Sequence, residues 1–453
     1  MRLARYKAEY KSLFRLGLPV LVTQVCVITV SFADTLMVGA YGLDELAASA
    51  FVNSLFLVVL VMLMGFAGGI TPLIGALFSR GEDFAIGHTL RASLKLNFVI
   101  AAVFTAIMGV LYFFVDRMGQ PEELLPLIRP YYLVVLATII PSAMFNTCQQ
   151  TANGTTDTAS PMWVILGANV MNIIGNYILI FGKFGMPELG LTGAGISTLA
   201  ARVAAALVMF GIVSCSKRYS HYREGLMSSE PCGKRMRTVW HTSYPVMFQS
   251  GVECLLWSMG AVVCGWFDKV QLAAYQVVNT IGQLGFMIYM SFGVAVSVRV
   301  ANSMGRNDIA GIRHTAAAGL HITLTLATIA SAVFFLFGGE MIGLFNDSGD
   351  VIASGGALIV PLILYQYCDA IQLTYANAQR GTAEARPLMW AGIISYLLIG
   401  IPVMLLLAVT FGMGNVGVYY SFSVALLSAS LLLRYWFGRT LRQHEARLVG
   451  VAA

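Results

Sequence analysis

The stretch YPVMFQSGVECLLWSMGAVVCGWF, Tyr244 to Phe267, decides the fold class of the chain. It is long enough for a helix that crosses the roughly 30 Å hydrocarbon core of a bilayer, and its only charged residue is Glu253. Similar apolar runs recur throughout a sequence that is 58% hydrophobic and 11% charged, whereas soluble domains are about 25% charged. The pattern predicts an all-α polytopic membrane protein, because the alternating segments of about ten residues that a membrane β-barrel needs do not occur.

The apolar runs predict twelve membrane-spanning helices. With the N-terminus in the cytoplasm, 23 of the 28 lysine and arginine residues fall in cytoplasmic segments, four fall in outer segments, and Arg202 falls inside a span. This asymmetry sets membrane orientation and predicts that both termini are cytoplasmic. The predicted spans are about 13–40, 47–78, 92–116, 130–152, 162–182, 191–215, 239–267, 272–303, 316–339, 356–380, 387–411 and 415–438.

An internal repeat with an offset of 226 residues divides the chain into two halves. It predicts an N-terminal six-helix lobe over 1–215, a basic cytoplasmic linker over 216–238 and a C-terminal six-helix lobe over 239–453. Because six is an even number, both lobes enter the membrane from the same side, as in the parallel repeats of transporters. The matched pairs are Pro19 and Pro245, Leu46 and Leu272, Arg80 and Arg306, and Pro161 and Pro387.

Several classes of function lack their motifs. The seven cysteines form no CxxC pair and the six histidines show no metal-ligand spacing, so we expect no zinc site, disulfide framework or resident cofactor. No basic stripe interleaved with aromatics indicates a nucleic-acid partner. We find no nucleophile–base pair or metal cluster of an enzyme. A channel is also disfavoured, because the long repeat and the acids within spans favour alternating access.

Three carboxylates, those of Asp34, Glu253 and Asp369, lie inside predicted spans. A charge at the bilayer centre costs about 2.5–3.5 kcal/mol and usually faces a wet cavity, an ion or a proton path. At the repeat offset, the positions opposite all three hold uncharged residues. The duplicated scaffold therefore forms without these charges, which favours a functional role for them over burial against a helix neighbour.

Other polar side chains accompany the carboxylates. Tyr365 precedes Asp369 by one helical turn and shares its face. Asn172 and Asn176 line one face of the fifth span, where they could bind a ligand or join two helices. Further candidates for the lining of a cavity are Gln276 and Asn279 in the eighth span.

Three segments resemble a known family: SFADTLMVGAYGLDELAASA from Ser31, SFGVAVSVRVANSMGRNDIAGIRH from Ser291 and YQYCDAIQLTYANAQRGTAEARP from Tyr365. Together they are similar to the multidrug and toxic compound extrusion (MATE) transporters, over essentially all twelve spans. The pairing of Glu253 with Asp369 resembles the NorM branch in particular.

The resemblance implies an antiporter that expels small organic cations while sodium ions or protons flow inward. It implies two six-helix lobes that form a V-shaped cleft, in a multi-pass protein of a bacterial inner membrane, and we expect a monomer in the lipid bilayer. It assigns the coupling-cation site, with sodium as the metal, to Glu253, Asp369 and Tyr365. The N-terminal site for substrate or proton maps to Asp34, Asn172 and Asn176, although some relatives carry an acid where this chain has Asn176.

The alternative is a flippase of lipids or lipid-linked oligosaccharides from the same broad superfamily. Its anionic pyrophosphate cargo would require a cationic cavity, whereas the residues above predict a cavity that is acidic apart from Arg202. The role of Arg202, which could pair within the N-terminal half or extend towards the membrane surface, stays open at this point.

Overall fold

The computed structural model describes the backbone of residues 2–345 and 348–452 and the side chains of residues 6–345 and 348–448. Over these residues the regular structure is helical. The first half contains α1 (Arg2–Tyr41), α2 (Leu43–Gly68), α3 (Ile70–Arg80), α4 (Asp83–Tyr112), α5 (Leu125–Ala137), α6 (Ile139–Gly154), α7 (Ala159–Ile180), α8 (Gly190–Cys215) and α9 (Arg223–Met227). The second half contains α10 (Gly233–Phe267), α11 (Lys269–Gly305), α12 (Ile309–Gly343), α13 (Gly349–Ala357), α14 (Ile359–Gly381), α15 (Arg386–Gly392), α16 (Ile401–Leu405) and α17 (Gly414–Ala452).

The helices confirm the predicted membrane-spanning architecture. Within the described ranges, 11 helical segments are long and apolar enough to cross a bilayer. The helices α13 and α14, bent by 45° at a short break, meet the same criterion together and make twelve spans when they are counted as one. Breaks of this kind are tolerated in membrane proteins where neighbouring helices satisfy the freed backbone groups.

The chain folds as two compact units. The C-terminal unit comprises Met1–Leu21 and Tyr244–Ala453, and the N-terminal unit comprises Val22–Ser243. The start of α1, in the first half, therefore belongs to the C-terminal unit. The start of α10, in the second half, belongs to the N-terminal unit. The lobe boundaries at 215 and 239 remain predictions from the repeat, and the two compact units divide the chain at different positions.

Each of these helix starts packs through an aromatic pair. Phe14 of α1 meets Phe292 of α11 edge to face, with 5.1 Å between ring centroids. Trp240 of α10 lies 6.0 Å from Phe66 of α2. At the repeat offset of 226, Phe14 corresponds to Trp240 and Phe66 corresponds to Phe292. The two aromatic pairs therefore occupy equivalent places in the two halves.

The start of α1 is also held by an ion pair. Arg299 donates hydrogen bonds from Nη2 and Nε to the two oxygens of Glu9, at 2.7 and 3.3 Å. Thr315 Oγ1 donates a third, at 3.2 Å. At the repeat offset, Glu9 corresponds to Arg235 and Arg299 to Leu73, so the equivalent pair cannot form at the start of α10.

Close helix contacts at two glycines occupy equivalent places in the two halves, with an offset of 227 for the glycines and 226 for their neighbours. A Cβ atom on Gly154 or Gly381 would lie 2.7 Å from the Cβ of a branched side chain on a neighbouring helix. It would also lie 2.7–3.0 Å from a backbone carbonyl oxygen one turn earlier in that neighbouring helix. These two helix contacts therefore require glycine. The neighbours are Ile74 and Thr71 for the first glycine and Val300 and Ser297 for the second.

The loop between α6 and α7 is anchored to the segment after α8. Asp157 is buried and accepts hydrogen bonds from Tyr219 Oη at 2.8 Å and Ser160 Oγ at 2.6 Å. Arg218 Nη1 lies 3.5 Å from the same carboxylate. Burial and the neighbouring Asp157 charge raise the pKa of Tyr219 above that of an exposed tyrosine, so its hydroxyl remains a donor.

Candidate functional site

Asp369 is the most deeply buried of the three predicted carboxylates. It lies on α14 between Gln366 and Gln372, one turn away on either side, and all three side chains are fully buried. Neither carboxylate oxygen of Asp369 has a hydrogen-bond partner among the described residues. Because an ionised carboxylate in this state is very costly, the position fits a residue that holds a proton or a cation.

Tyr365 accompanies Asp369 as the sequence predicts. Its hydroxyl lies close enough to interact with the carboxyl group, although it does not form a well-aligned hydrogen bond. The ring packs edge-on against Trp257 of α10, with 5.3 Å between centroids. Trp257 also lies 4.3 Å from Phe422 of α17. Aromatic rings from three helices therefore form one contiguous group that includes Tyr365.

Two further buried oxygen atoms near Asp369 lack partners. Tyr289 of α11 is within electrostatic range of Asp369, and its hydroxyl makes no hydrogen bond with the described residues. Gln366 donates from Nε2 to the Gly282 carbonyl oxygen at 3.2 Å, while its Oε1 has no partner there. A Cβ on Gly285 would overlap Gln366 Oε1, so a glycine makes room for this side chain. Oxygen atoms are the ligands that hard cations prefer.

Glu253 lies on α10 and is only half-buried. The Tyr396 hydroxyl lies close to its carboxyl group and accepts a hydrogen bond from Gln372 Nε2 at 2.9 Å. Tyr396 and Gln372 thus connect Glu253 to the helix that carries Asp369. The residues predicted as a coupling site, Glu253, Asp369 and Tyr365, lie in one cluster.

Tyr396 belongs to a π-helical segment, Ile393–Gly400, and a second such segment spans Leu406–Thr410. Together with α15 and α16 these segments form the eleventh span. Wider helical turns of this kind often occur at functional sites. Here the wider turn carries the hydroxyl that faces Glu253.

Arg380 is the charged residue of this cluster that the sequence reasoning missed. It also missed four uncharged ones, Tyr289, Gln366, Gln372 and Tyr396. By sequence Arg380 counts among the cytoplasmic basic residues, yet its guanidinium group is within electrostatic range of Glu253. Its Nη1 donates to Asn377 Oδ1 at 3.4 Å, and its buried Nε has no partner among the described residues. The expectation that the carboxylates lack a basic neighbour apart from Arg202 is therefore wrong. Arg380 follows Asp369 by 11 residues, or about three helical turns. This spacing predicts that the two side chains share one face of α14.

The structure does not bring Gln276 and Asn279 into this cluster. Gln276 is exposed and Asn279 is half-buried on α11. Within the described part of the chain, neither side chain hydrogen-bonds with Glu253 or Asp369. Their suggested role in lining a cavity stays a prediction.

A second cluster in the N-terminal unit brings together Asp34, Asn172 and Asn176. Asn176 Nδ2 donates a hydrogen bond to Asp34 Oδ1. With its amide oriented to suit its neighbours, Asn172 donates to the same oxygen at 2.8 Å and accepts from Thr198 Oγ1 at 3.1 Å. The two asparagines therefore face the acid from α7, as their helical spacing predicts.

Arg202 of α8 joins this second cluster. Its Nη1 donates to Thr138 Oγ1 at 3.0 Å and Ser142 Oγ at 3.2 Å. Asp34 and Tyr131 lie within electrostatic range of the guanidinium group. Of the two placements left open for Arg202, the one within the N-terminal half is observed, with hydrogen bonds to two hydroxyl groups.

A sequence profile of the MatE family matches the chain twice, over residues 19–178 and 245–406. The two matches correspond to the two halves of the repeat. Among similar curated proteins, a probable multidrug resistance protein NorM of Rhizobium meliloti is 26% identical over 97% of this chain and 96% of its own length. The multidrug resistance protein NorM of Vibrio cholerae is 27% identical over 95% of this chain and 96% of its own length.

Solved structures share the fold. The eukaryotic MATE transporter AtDTX14 superposes with a TM-score of 0.88 at 18% identity, over 98% of this chain and 99% of its own. A mutant form of the Vibrio cholerae MATE transporter VcmN gives a TM-score of 0.85 at 18% identity, over 97% of this chain and 98% of its own. At these identities the likeness establishes the architecture, which agrees with the predicted fold class.

Proposed function

We propose that this chain, which belongs to the MatE family of multidrug efflux transporters, exports organic cations in exchange for inward sodium ions or protons. Members of the family are transporters and not enzymes, in agreement with the missing catalytic motifs. The proposal places coupling at Glu253, Asp369 and Tyr365. The observation that carries it is the Asp369 carboxyl group, fully buried with no hydrogen-bond partner for either oxygen among the described residues.

The charges of this cluster favour a monovalent cation. When all three groups are ionised, the carboxylates of Glu253 and Asp369 and the guanidinium of Arg380 leave one negative charge unbalanced. A sodium ion or a proton at Asp369 would neutralise it. The unpartnered oxygen atoms of Tyr289 and Gln366 would supply ligands for sodium.

An organic cation could relieve the same charge. Tyr365 lies beside Asp369 and its ring packs against that of Trp257, and aromatic faces attract cations. Ion and drug then compete for one negative charge. If each ligand stabilises a different facing of the transporter, this competition links the two fluxes.

The flippase alternative is not favoured by these residues. An anionic pyrophosphate would require excess positive charge, whereas the cluster of Glu253, Asp369 and Arg380 contains two carboxylates and one guanidinium group. We propose likewise that the transporter acts as a monomer in a bacterial inner membrane with both termini cytoplasmic. The bacterial NorM relatives and the distribution of basic residues support this placement.

Efflux from proteoliposomes under separately imposed gradients tests the proposal. A fluorescent organic cation such as ethidium should move against its own gradient when either a sodium or a proton gradient is applied. Dissipation of that gradient should stop the movement. Absence of ion-driven transport, together with scrambling of labelled lipids, would instead support the flippase.

A further inference from the structure

A groove of about 500 Å³ runs between α7 and α8 in the N-terminal unit. The described residues that line it are apolar apart from Ser160. Several of them are exposed, among them Trp163, Met171 and Val208. Among the described residues, no member of either carboxylate cluster lines it. The groove is therefore a feature separate from both clusters.

Small residues leave the groove open between the two helices. A Cβ on Gly167 of α7 would meet no atom of the described residues within 4 Å, so this glycine borders empty space. Ala168 lines the groove from the same helix, and Ala204 and Ala205 line it from α8. Short side chains on both helices thus make room for a narrow apolar ligand.

The length of the groove matches one leaflet of a bilayer. Its lining residues on α7 run from Ser160 to Met171, a rise of about 16 Å along the helix. The hydrocarbon core is roughly 30 Å thick, so one leaflet is about 15 Å deep. Trp163 lines the Ser160 end, and tryptophan is enriched at membrane–water interfaces. A lipid acyl chain that begins at the interface therefore fits the groove.

A basic side chain stands at the Ser160 end of the groove. Ser160 Oγ donates a hydrogen bond to Asp157 at 2.6 Å, and Arg218 Nη1 lies 3.5 Å from the same carboxylate. This shared partner brings the guanidinium group close to the groove, and the Arg218 side chain is 56% exposed. Lys217 precedes it and is also exposed. With the proposed cytoplasmic termini, this end lies at the cytoplasmic membrane surface.

The charges at this end favour an anionic ligand. The segment 217–223 contains Lys217, Arg218 and Arg223 and no acid, and Asp157 offsets only one of the three positive charges. Guanidinium groups bind phosphate, and basic residues beside a membrane attract anionic lipids. An acyl chain joined to a charged phosphate therefore complements both the groove and its end.

We propose that this groove is a binding site for one anionic phospholipid of the cytoplasmic leaflet. One acyl chain lies between α7 and α8, and the headgroup phosphate contacts Arg218. The site goes beyond the export function and does not depend on which substrate is exported. It rests on the proposed membrane orientation only for the choice of leaflet.

Native mass spectrometry of the full-length protein in detergent tests the site. Delipidated protein is titrated with phosphatidylglycerol, which is anionic, or with phosphatidylcholine, which is zwitterionic, and the affinity for the first bound lipid is measured. Gly167→Leu fills the groove. Its matched control is Gly211→Leu in α8, because a Cβ there also meets no described atom within 4 Å and the residue does not line the groove.

Arg218→Gln removes the positive charge near the groove. Its matched control is Lys234→Gln, which removes an exposed positive charge elsewhere in the linker. Size-exclusion chromatography verifies that each variant is folded. Gly167→Leu leaves the contact between Arg218 and Asp157 in place, so it tests the groove even if Arg218→Gln does not fold.

The wild type should bind phosphatidylglycerol at least about fivefold more tightly than phosphatidylcholine, as expected for a basic residue at a membrane surface. Gly167→Leu should weaken binding of both lipids about tenfold or more, through loss of apolar contact. Arg218→Gln should remove the preference for phosphatidylglycerol, and both controls should behave as the wild type.

Three results would overturn the inference. They are equal affinity of the wild type for the two lipids, unchanged lipid binding by Gly167→Leu, and an unchanged preference in Arg218→Gln. Loss of ethidium binding in Gly167→Leu would assign the groove to the drug and would overturn it as well. Because lipid binding is measured without a gradient, failure of ion-driven transport would count against the proposed function separately.

Discussion

Arg380 lies within electrostatic range of Glu253 in the C-terminal unit and three helical turns along α14 from Asp369. The guanidinium offsets one carboxylate of the cluster and leaves the charge of the other without a counter-ion. Asp369, the carboxyl group without hydrogen-bond partners in the described structure, is therefore the group that requires a bound cation. The roles of the two acids therefore differ, although we expect transport to require both.

Removal of either acid should abolish coupling. Asp369→Asn and Glu253→Gln retain side-chain volume but remove the charge that attracts the cation. We expect ion-driven dye efflux to fall at least about a hundredfold, which corresponds to a loss of roughly 2.7 kcal/mol or more. Initial rates in proteoliposomes measure the effect, and size-exclusion chromatography verifies folding.

Glu340→Gln provides the matched control for these variants. It makes the same change from acid to amide in the same unit, but Glu340 is exposed at the end of α12. Its efflux should stay within about twofold of wild type, in the range of surface substitutions. Normal coupled efflux in Asp369→Asn would contradict the assignment of the site.

Loss of Arg380 should strengthen cation binding. Arg380→Gln leaves two carboxylates without a basic neighbour, so the electrostatic attraction for a monovalent cation increases. We expect the cation concentration for half-maximal transport to fall about tenfold, or roughly 1.4 kcal/mol. Slower turnover should accompany it, because the ion is released less readily. An increased half-maximal concentration would show that Arg380 does not oppose the cation.

Substitution of the two repeat-related glycines should destabilise both units. Gly154→Ala and Gly381→Ala each place a Cβ 2.7 Å from a neighbouring branched side chain, and overpacking of this kind costs about 1–3 kcal/mol. Thermal unfolding in detergent measures the loss. Gly109→Ala in α4 is the control, because a Cβ there meets no atom within 4 Å. Equal unfolding midpoints for all three variants would contradict the packing account.

The Glu9–Arg299 pair should contribute cooperatively to stability. Glu9→Gln leaves a guanidinium that is only 25% exposed without its counter-ion, and removal of one partner from a buried pair costs about 3 kcal/mol. A double-mutant cycle with Arg299→Gln should give a coupling energy of about 1–3 kcal/mol. Simple additivity of the two substitutions would show that the contact contributes little.

Tyr219 provides a prediction about pH. Its pKa is raised in the folded state above the unfolded value of 10.0, so the stability it contributes is fully present below that value and decreases as the pH rises above it. Tyr219→Phe should cost about 1–3 kcal/mol near neutral pH, because Asp157 loses a donor. The variant should also lose less stability than wild type above the unfolded pKa of tyrosine. Parallel stability curves for the two proteins would contradict this prediction.

The sequence predicted the architecture because hydrophobic length and repetition are local properties of the chain. It also predicted which residues of one helix share a face, as for Asn172 with Asn176 and Tyr365 with Asp369. The convergence of both asparagines on Asp34 follows from that spacing once α1 packs nearby. The shared faces depend on helical periodicity alone, whereas the convergence on Asp34 also requires a contact between α7 and α1.

Contacts between helices that are far apart in the sequence were harder to predict. Gln276 has the polarity of a cavity residue, but the rotation of α11 leaves it exposed. Gln372 and Tyr396 meet only because α14 packs close to a π-helical segment, and such a segment has no clear sequence signal. Arg380 was counted with the loops because span boundaries are uncertain by several residues, although its spacing from Asp369 indicated the shared face.

The central claim is that Asp369 binds the coupling cation, and the most direct test counts the cations that a drug displaces. Purified protein is equilibrated with radioactive sodium ions in weakly buffered detergent, and a saturating organic cation is added. Because the cluster of Glu253, Asp369 and Arg380 carries one unbalanced negative charge, the account predicts release of about one sodium ion or proton per chain, and none from Asp369→Asn. Equal release from Asp369→Asn and wild type would contradict it.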